Sequence, residues 1–154
     1  MKTVGAMLLC LLAYAQSFEV AEVSIAQQQK AMTEGRVTSL GLVQAYLERI
    51  AAFDQRGPKL NSIITLNPSA LKEAEALDRE RAAKGARGPL HGIPIIVKDN
   101  YSTSDLPTTA WTMALMGFVP SRDAFQVRKL REAGAVILGK SNLHELASGI
   151  TTVE

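Results

Sequence analysis

A short apolar run at residues 93–97, Ile-Pro-Ile-Ile-Val, constrains the fold of this chain more than any other feature. Glycine and proline residues precede it, and the polar sequence Lys98-Asp99-Asn100 ends it abruptly. A run this short and this apolar is typical of a strand that is buried on both faces of a sheet. Because proline lacks the amide hydrogen that a central strand position needs, we expect Pro94 among the strand's first residues.

Helix-like and strand-like segments alternate around this run. Apolar residues recur at three- and four-residue steps from Leu42 to Phe53, which is typical of an amphipathic helix with Thr38 or Ser39 as its cap. The other predicted elements are helices at 24–34, 67–84, 123–133 and 142–147 and strands at 60–66 and 135–138. Alternation of this kind predicts an α/β fold, with a mixed β-sheet flanked by helices.

Side chains at three positions are predicted to start helices. Asn67 is the expected cap of its helix, with Pro68 at the first helical position. Asp123 and Asn142 are each followed three residues later by a glutamine or glutamate, the spacing of a capping box. The connection over residues 101–120 shows little periodicity, and long ordered connections in compact domains are often functional.

Lys98 is the candidate catalytic residue of this chain. It follows the apolar run, and open α/β sheets bind their ligands at the carboxyl ends of their strands. Loss of water there favours the neutral amine, which is a base. The alternative is a lysine whose stem follows the strand end while its ammonium reaches solvent, and the pattern alone favours this alternative.

Composition bounds the class of protein. The chain has 154 residues, of which 47% are hydrophobic and 21% charged, as expected of a globular domain with a real core. Its net charge is +2 without a block of like charges, and only 5% of its residues are aromatic. Because nucleic-acid binding needs a clustered basic face or a stacking surface, we expect no nucleic-acid partner.

Residues 1–15 have the pattern of a secretory signal peptide. Lys2 precedes an apolar run, and Ala13-Tyr14-Ala15 fits a cleavage site. The run is too short for a stable membrane span, so no stable membrane insertion is expected after its removal. The single cysteine, Cys10, lies inside it, which suits a periplasmic or secreted location for residues 16–154. The alternative is a buried amino-terminal helix.

Other kinds of site find little support in the sequence. The two histidines, His91 and His144, have no partner at metal-ligand spacing, and both are interpreted as surface or turn residues. Glycine-rich phosphate loops are absent, so no metal and no cofactor is predicted. A Gly-x-Ser-x-Gly elbow is also absent, and a Ser-His-Asp triad cannot be assigned.

Three blocks of sequence resemble the amidase signature family. They are residues 88–100, the triplet Thr108-Thr109-Ala110, and residues 134–147. The similarity extends over about residues 20–154, and the predicted signal peptide resembles that of the extracytoplasmic, peptide-amidase-like branch. The resemblance implies that residues 16–154 are the N-terminal portion of an amidase domain. Trp111 departs from the family pattern, which more often has glycine there.

The resemblance also implies a mechanism. Family members hydrolyse carboxamides with a serine nucleophile, a second serine beside a cis peptide bond, and a lysine that corresponds to Lys98. Both serines belong to a region downstream of residue 154. We therefore expect the chain to hold the base alone, to be inactive by itself, and to need the C-terminal remainder of the domain as its partner. The expected substrate is a small-molecule or peptide amide.

Two alternatives stay open at this point. The chain could be a small non-catalytic binding or interaction module that reuses the front half of the fold. It could also be a separate enzyme that forms a Schiff base through Lys98.

Overall fold

The computed structural model describes residues 18–149, so the predicted signal peptide lies outside the described residues. The helices are α1 (Ile25–Thr33), α2 (Ser39–Arg49), α3 (Ala70–Lys84) and α4 (Phe125–Glu132), and the strands are β1 (Ile63–Leu66), β2 (Pro94–Lys98) and β3 (Val136–Ser141). A π-helical turn at Ile50–Asp54 prolongs α2, and short 3₁₀ turns lie at Met113–Leu115 and Glu145–Ala147. Within this range no helix has the length and apolar character that a membrane span requires.

The three strands form a mixed sheet in the order β1-β3-β2. β3 runs antiparallel to β1 and parallel to β2, which confirms the predicted α/β class. Pro94 is the first residue of β2, as expected. β3 is the strand buried along its length, whereas β2 lies at an edge of the described sheet and its residues Pro94–Ile96 are only half-buried. The prediction that β2 is buried on both faces was therefore wrong for this part of the chain.

Helices cover both faces of the sheet. On one face α2 and α3 pack against β3 through a cluster that includes Val43, Ala74, Leu77, Val136 and Leu138. On the other face α4 covers a cluster of Val97, Leu106, Val127 and Ile137. A third cluster joins α1 and α2 to the start of β2 and consists of Val20, Met32, Leu42 and Ile93. Each large aliphatic side chain buried in this way contributes about 1.5–3 kcal/mol to stability.

Local sequence determines where α1 and α2 begin. Ser24 caps α1 in a capping box with Gln27, and the hydroxyl of Thr38 accepts a hydrogen bond from the amide of Gly41 at 3.0 Å. These contacts satisfy amide groups that have no partner within the helix. The prediction of Thr38 as a cap is confirmed.

Asn67 makes the local contact of a cap, because its Oδ1 accepts from the amide of Ser69, but α3 begins only at Ala70, later than predicted. The predicted caps Asp123 and Asn142 were wrong, because distant groups bind these side chains. Asp123 binds the amide and hydroxyl of Ser104. Asn142 donates to the carbonyl of Asn61, and a 3₁₀ turn replaces the expected helix.

Candidate functional site

Two lysines lie at the carboxyl ends of the parallel strands β2 and β3. The pairing register places Val97 opposite Lys140 and Lys98 opposite Ser141. Residues opposite each other across a sheet share a face, and successive residues of one strand alternate between faces. Lys140 therefore lies on the face of Val97, below α4, and Lys98 lies on the opposite face.

A β-bulge in β3 determines this arrangement. Ile95 pairs with Ile137, but Ile96 pairs with Gly139, so Leu138 is an extra residue in β3. A one-residue shift moves every following side chain to the other face. Gly139 permits it, because a Cβ atom there would lie 2.4 Å from the carbonyl oxygen of Thr65 in β1. Without the shift, Lys140 would lie with Val136 and Leu138 against α2 and α3.

The side chain of Lys98 is exposed. Of residues 18–149, none places a carboxylate oxygen within 4.0 Å of its ammonium. The expectation that Lys98 is stripped of water at the strand end is thus not met in the part of the chain that the structure describes. The arrangement matches the alternative in which the ammonium reaches solvent.

Lys140 has the opposite environment, with a side chain that is 0% exposed. Its Nζ lies 3.2 Å from Oδ1 of Asp99, which is also completely buried. Four further oxygens lie within hydrogen-bond distance of the same Nζ: Tyr101 O (2.9 Å), Thr103 Oγ1 (3.2 Å), Pro107 O (3.3 Å) and Thr108 Oγ1 (2.7 Å). All of these oxygens belong to the connection between β2 and α4, so Lys140 fastens that connection to the sheet.

Burial lowers the pKa of Lys140, while the carboxylates of Asp99 and, to a smaller extent, Asp105 act in the opposite direction. The geometry favours the ammonium form. Carbonyl oxygens only accept hydrogen bonds, and the ammonium has three hydrogens to donate where the neutral amine has two. An uncompensated charge in such a place would be costly, and Asp99 supplies the compensation.

Asp99 joins the strand end to the following connection. Its Oδ2 accepts hydrogen bonds from the amide (2.9 Å) and the hydroxyl (2.6 Å) of Thr109. Its backbone amide donates to Ser141 O at 3.1 Å, and its carbonyl accepts from the amide of Ala110 at 3.2 Å. The backbone on which Lys98 stands is therefore fixed by the residue that follows it.

An apolar cleft of about 440 Å³ opens at the same edge of the sheet. Its lining residues are Ile64, Thr109, Trp111, Thr112, Met113 and Met116. Thr109 lines the cleft and also binds Asp99. Ile64 of β1 lines it too, and the residue before it, Ile63, pairs with Ser141 of β3. Ser141 is also the pairing partner of Lys98. The cleft thus lies beside the strand end that carries Lys98.

Trp111 lies in a turn with a left-handed backbone conformation. Its φ is +56° and that of Ala110 is +49°, in the left-handed region that glycine adopts without strain. The resemblance expects glycine at position 111. Trp111 adopts this left-handed conformation, and it adds a half-exposed indole to the wall of the cleft.

The two histidines serve structural roles. His91 lies in a turn, as predicted, but its side chain is completely buried, which corrects its interpretation as a surface residue. Its Nε2 lies 3.0 Å from Leu77 O, and its Nδ1 accepts from the amide of Arg87 at 3.3 Å. His144 is half-buried, with Nδ1 3.3 Å from the hydroxyl of Ser148. Between residues 18 and 149, no group of three or more His, Cys, Asp or Glu side chains could hold a metal ion.

Sequence reasoning missed Lys140 and Asp99. A signal for Lys140 was present, because a lysine directly after the run Ala-Val-Ile-Leu-Gly lies in or beside a buried strand. A buried lysine needs a partner. The sequence offers several acidic residues, and only the folded chain identifies Asp99.

Comparison with known proteins gives a consistent result. A family model described as Amidase matches residues 41–154. The structure resembles that of the native peptide amidase from Stenotrophomonas maltophilia with a TM-score of 0.81 and 54% identity, over 83% of this chain and 26% of that one.

Two other relatives have more distant sequences. The mandelamide hydrolase of Pseudomonas putida is 39% identical over 137 residues, which are 88% of this chain and 26% of that protein. The structure of an amidase family protein from Bacillus anthracis matches with a TM-score of 0.78 and 39% identity, over 82% of this chain and 25% of that one. The chain spans about a quarter of the length of the relatives it matches.

Proposed function

The chain belongs to the amidase signature family, and we propose that it supplies the proton acceptor, Lys98, to a serine-dependent amidase that hydrolyses carboxamide C–N bonds. One observation carries the proposal. Lys98 stands at the carboxyl end of β2, inside the matched region, at the strand edge where α/β proteins bind ligands. Its ammonium is exposed and has no carboxylate partner among residues 18–149, so it is accessible to groups from the rest of the domain.

The proposed chemistry uses two serines from the part of the family domain that this chain does not span. Lys98, as the neutral amine, accepts a proton from the bridging serine, which accepts one from the nucleophilic serine. The nucleophile bonds to the amide carbonyl carbon. The C–N bond then breaks as the proton passes to the departing amine, and water hydrolyses the acyl-enzyme. This arrangement is a Ser-Lys variant of the serine triad.

A peptide amide is the substrate we propose. Support comes from the 54% identity to the peptide amidase and from the apolar cleft beside the end of β2. A cleft of that size could bind one apolar side chain of a peptide, with the indole of Trp111 as one wall. We also propose a periplasmic or secreted location on the basis of the signal-peptide pattern in residues 1–15.

A hybrid enzyme tests the role of Lys98. Residues 18–149 of this chain replace the matching quarter of the peptide amidase from Stenotrophomonas maltophilia, and release of ammonia from a peptide amide is measured. In this hybrid amidase, Lys98→Ala should lower kcat/KM by roughly 10²- to 10⁴-fold, the usual contribution of a general base. Lys72→Ala is the matched control, since Lys72 is an exposed lysine of α3. Unchanged hydrolysis by the Lys98 variant would refute the proposal.

The 154-residue chain by itself should show no hydrolysis above buffer, because it lacks both serines of the proposed mechanism. Turnover by the purified chain would contradict this expectation. An inactive hybrid whose structure is intact would instead favour the non-catalytic binding module.

A further inference from the structure

The residue after Lys98 poses an electrostatic problem for a base. Asp99 is a carboxylate at the next position of the chain, and a nearby negative charge stabilises a protonated amine. Such a neighbour lowers the fraction of the amine that is present in the neutral form, which is the form that accepts a proton. Asp99 nevertheless contributes to the structure, because its Oδ2 holds both the amide and the hydroxyl of Thr109.

The fold places a compensating charge against this carboxylate. Oδ1 of Asp99 has no hydrogen-bond donor in ideal geometry, and the atom that faces it is Nζ of Lys140, at 3.2 Å. Both side chains are buried on one face of the sheet, and Lys98 lies on the other. The β-bulge at Leu138 is what brings Lys140 to the face of Asp99.

The other charges around this pair are already partnered. In the β2–α4 connection, Asp105 is bound by both oxygens to Nη2 of Arg131 from α4, at 2.7 Å each. Asp123, before α4, lies 3.2 Å from Nε of the same arginine. On the opposite face, the carboxylate of Asp54 binds the amide and hydroxyl of Ser62. After β3 the chain continues with the half-buried His144 and the exposed Glu145.

We propose that Lys140 is a positioning residue that cancels the charge of Asp99, so that Asp99 can anchor the strand end without stabilising protonated Lys98. The inference rests on the proposed function of Lys98. Lys140 cannot touch a substrate, because its side chain is completely buried, and it acts only through Asp99. Burial lowers the pKa of Lys140, yet its five oxygen neighbours favour the ammonium that this role requires.

The acid limb of the pH profile of kcat/KM in the hybrid amidase tests this role, because that limb reports the pKa of the base in the free enzyme. Lys140→Gln leaves Asp99 uncompensated, so the limb should move to higher pH. Asp99→Asn leaves Lys140 uncompensated, so the limb should move to lower pH. Each shift should be about 0.5–1 pH unit, because both charges lie on the face of the sheet opposite Lys98 and act at longer range than a direct ion pair.

The double variant, Lys140→Gln with Asp99→Asn, should return the limb to its original position. A purely structural role would lower activity in both single variants without shifts of opposite sign. Lys72→Gln is the matched control, because it makes the same charge change on an exposed lysine of α3. If Lys140→Gln does not fold, the sign of the Asp99→Asn shift and its reversal in the double variant decide the matter.

The inference would be overturned if the acid limb of the kcat/KM profile stayed at the same pH in the variants. It would also be overturned if the limb moved in the same direction in both single variants. The Lys98→Ala variant separates this failure from failure of the proposed function. Full activity of Lys98→Ala refutes the role of Lys98, whereas an inactive Lys98→Ala combined with fixed limbs refutes only the role of Lys140.

Discussion

Lys98 and Lys140 are the same residue type at the ends of two adjacent parallel strands, and their surroundings are opposite. Lys98 is exposed, whereas Lys140 is buried with its Nζ among five oxygens. Each follows a short apolar run, so local sequence does not separate them. The difference arises from the bulge at Leu138, which turns one lysine toward the α4 side of the sheet. Strand register, more than residue type, determines which lysine stabilises the fold and which is available for chemistry.

This comparison predicts that the two lysines contribute differently to the stability of the fold. Lys140→Met in the hybrid amidase should lower the free energy of unfolding by about 3–5 kcal/mol, because it leaves the buried carboxylate of Asp99 without its partner. Lys98→Met should lower the same quantity by less, since no carboxylate among residues 18–149 is left without a partner when its ammonium is removed. Urea-induced unfolding, followed by circular dichroism, measures both. Equal losses from the two variants would remove the distinction.

Gly139→Ala tests the register that creates the difference. The new methyl group would lie 2.4 Å from Thr65 O, so β1 must move or the pairing must change, at a cost of about 1–3 kcal/mol. Gly88→Ala is the control, because no heavy atom lies within 4 Å of a Cβ there. Thermal unfolding of the two hybrids gives the comparison. A Gly139 variant as stable as the Gly88 variant would show that the close approach is unimportant.

Thr109→Val tests how the Lys140 side of the sheet holds the connection. The substitution removes the hydroxyl that donates to Asp99 at 2.6 Å and accepts from the amide of Trp111 at 3.1 Å, while it keeps the shape of the side chain and the backbone bond to Asp99. A hydrogen bond to a charged group contributes about 1.5–3 kcal/mol, and we expect a loss near the lower end, about 1.5 kcal/mol. Thr112→Val serves as the control, since Thr112 contributes a backbone bond to Thr109 O at 3.0 Å. Urea midpoints of the two variants should differ.

Glu80 and Arg87 provide a surface counterpart to the buried pair. The guanidinium of Arg87 lowers the pKa of the Glu80 carboxyl below its ordinary value of 4.5. A carboxylate whose folded pKa is lowered adds stability above its unfolded pKa and loses it as pH falls through the folded value. The melting temperature of the hybrid should therefore exceed that of Glu80→Gln at neutral pH, and the small difference should vanish in acid. A difference independent of pH would contradict this assignment.

Parts of the molecule that depend on local sequence were predictable. The capping box at Ser24, the cap at Thr38, the helix that ends at Gly85 and the position of Pro94 all follow from contacts within a few residues. Asp123 and Asn142 fit the local rules equally well, yet their side chains bind residues 19 and 81 positions away. A local sequence pattern does not reveal contacts with residues so far away in the chain.

The sequence by itself determined the α/β class, the succession of helices and strands, the family resemblance and Lys98 as the proposed base. Only the tertiary structure decided that β3 lies in the centre of the described sheet, that His91 is buried, and that Lys140 pairs with Asp99. The reason is physical. Periodicity and capping depend on neighbours along the chain, whereas burial and charge pairing depend on the register between strands, which β1 and Gly139 fix in three dimensions.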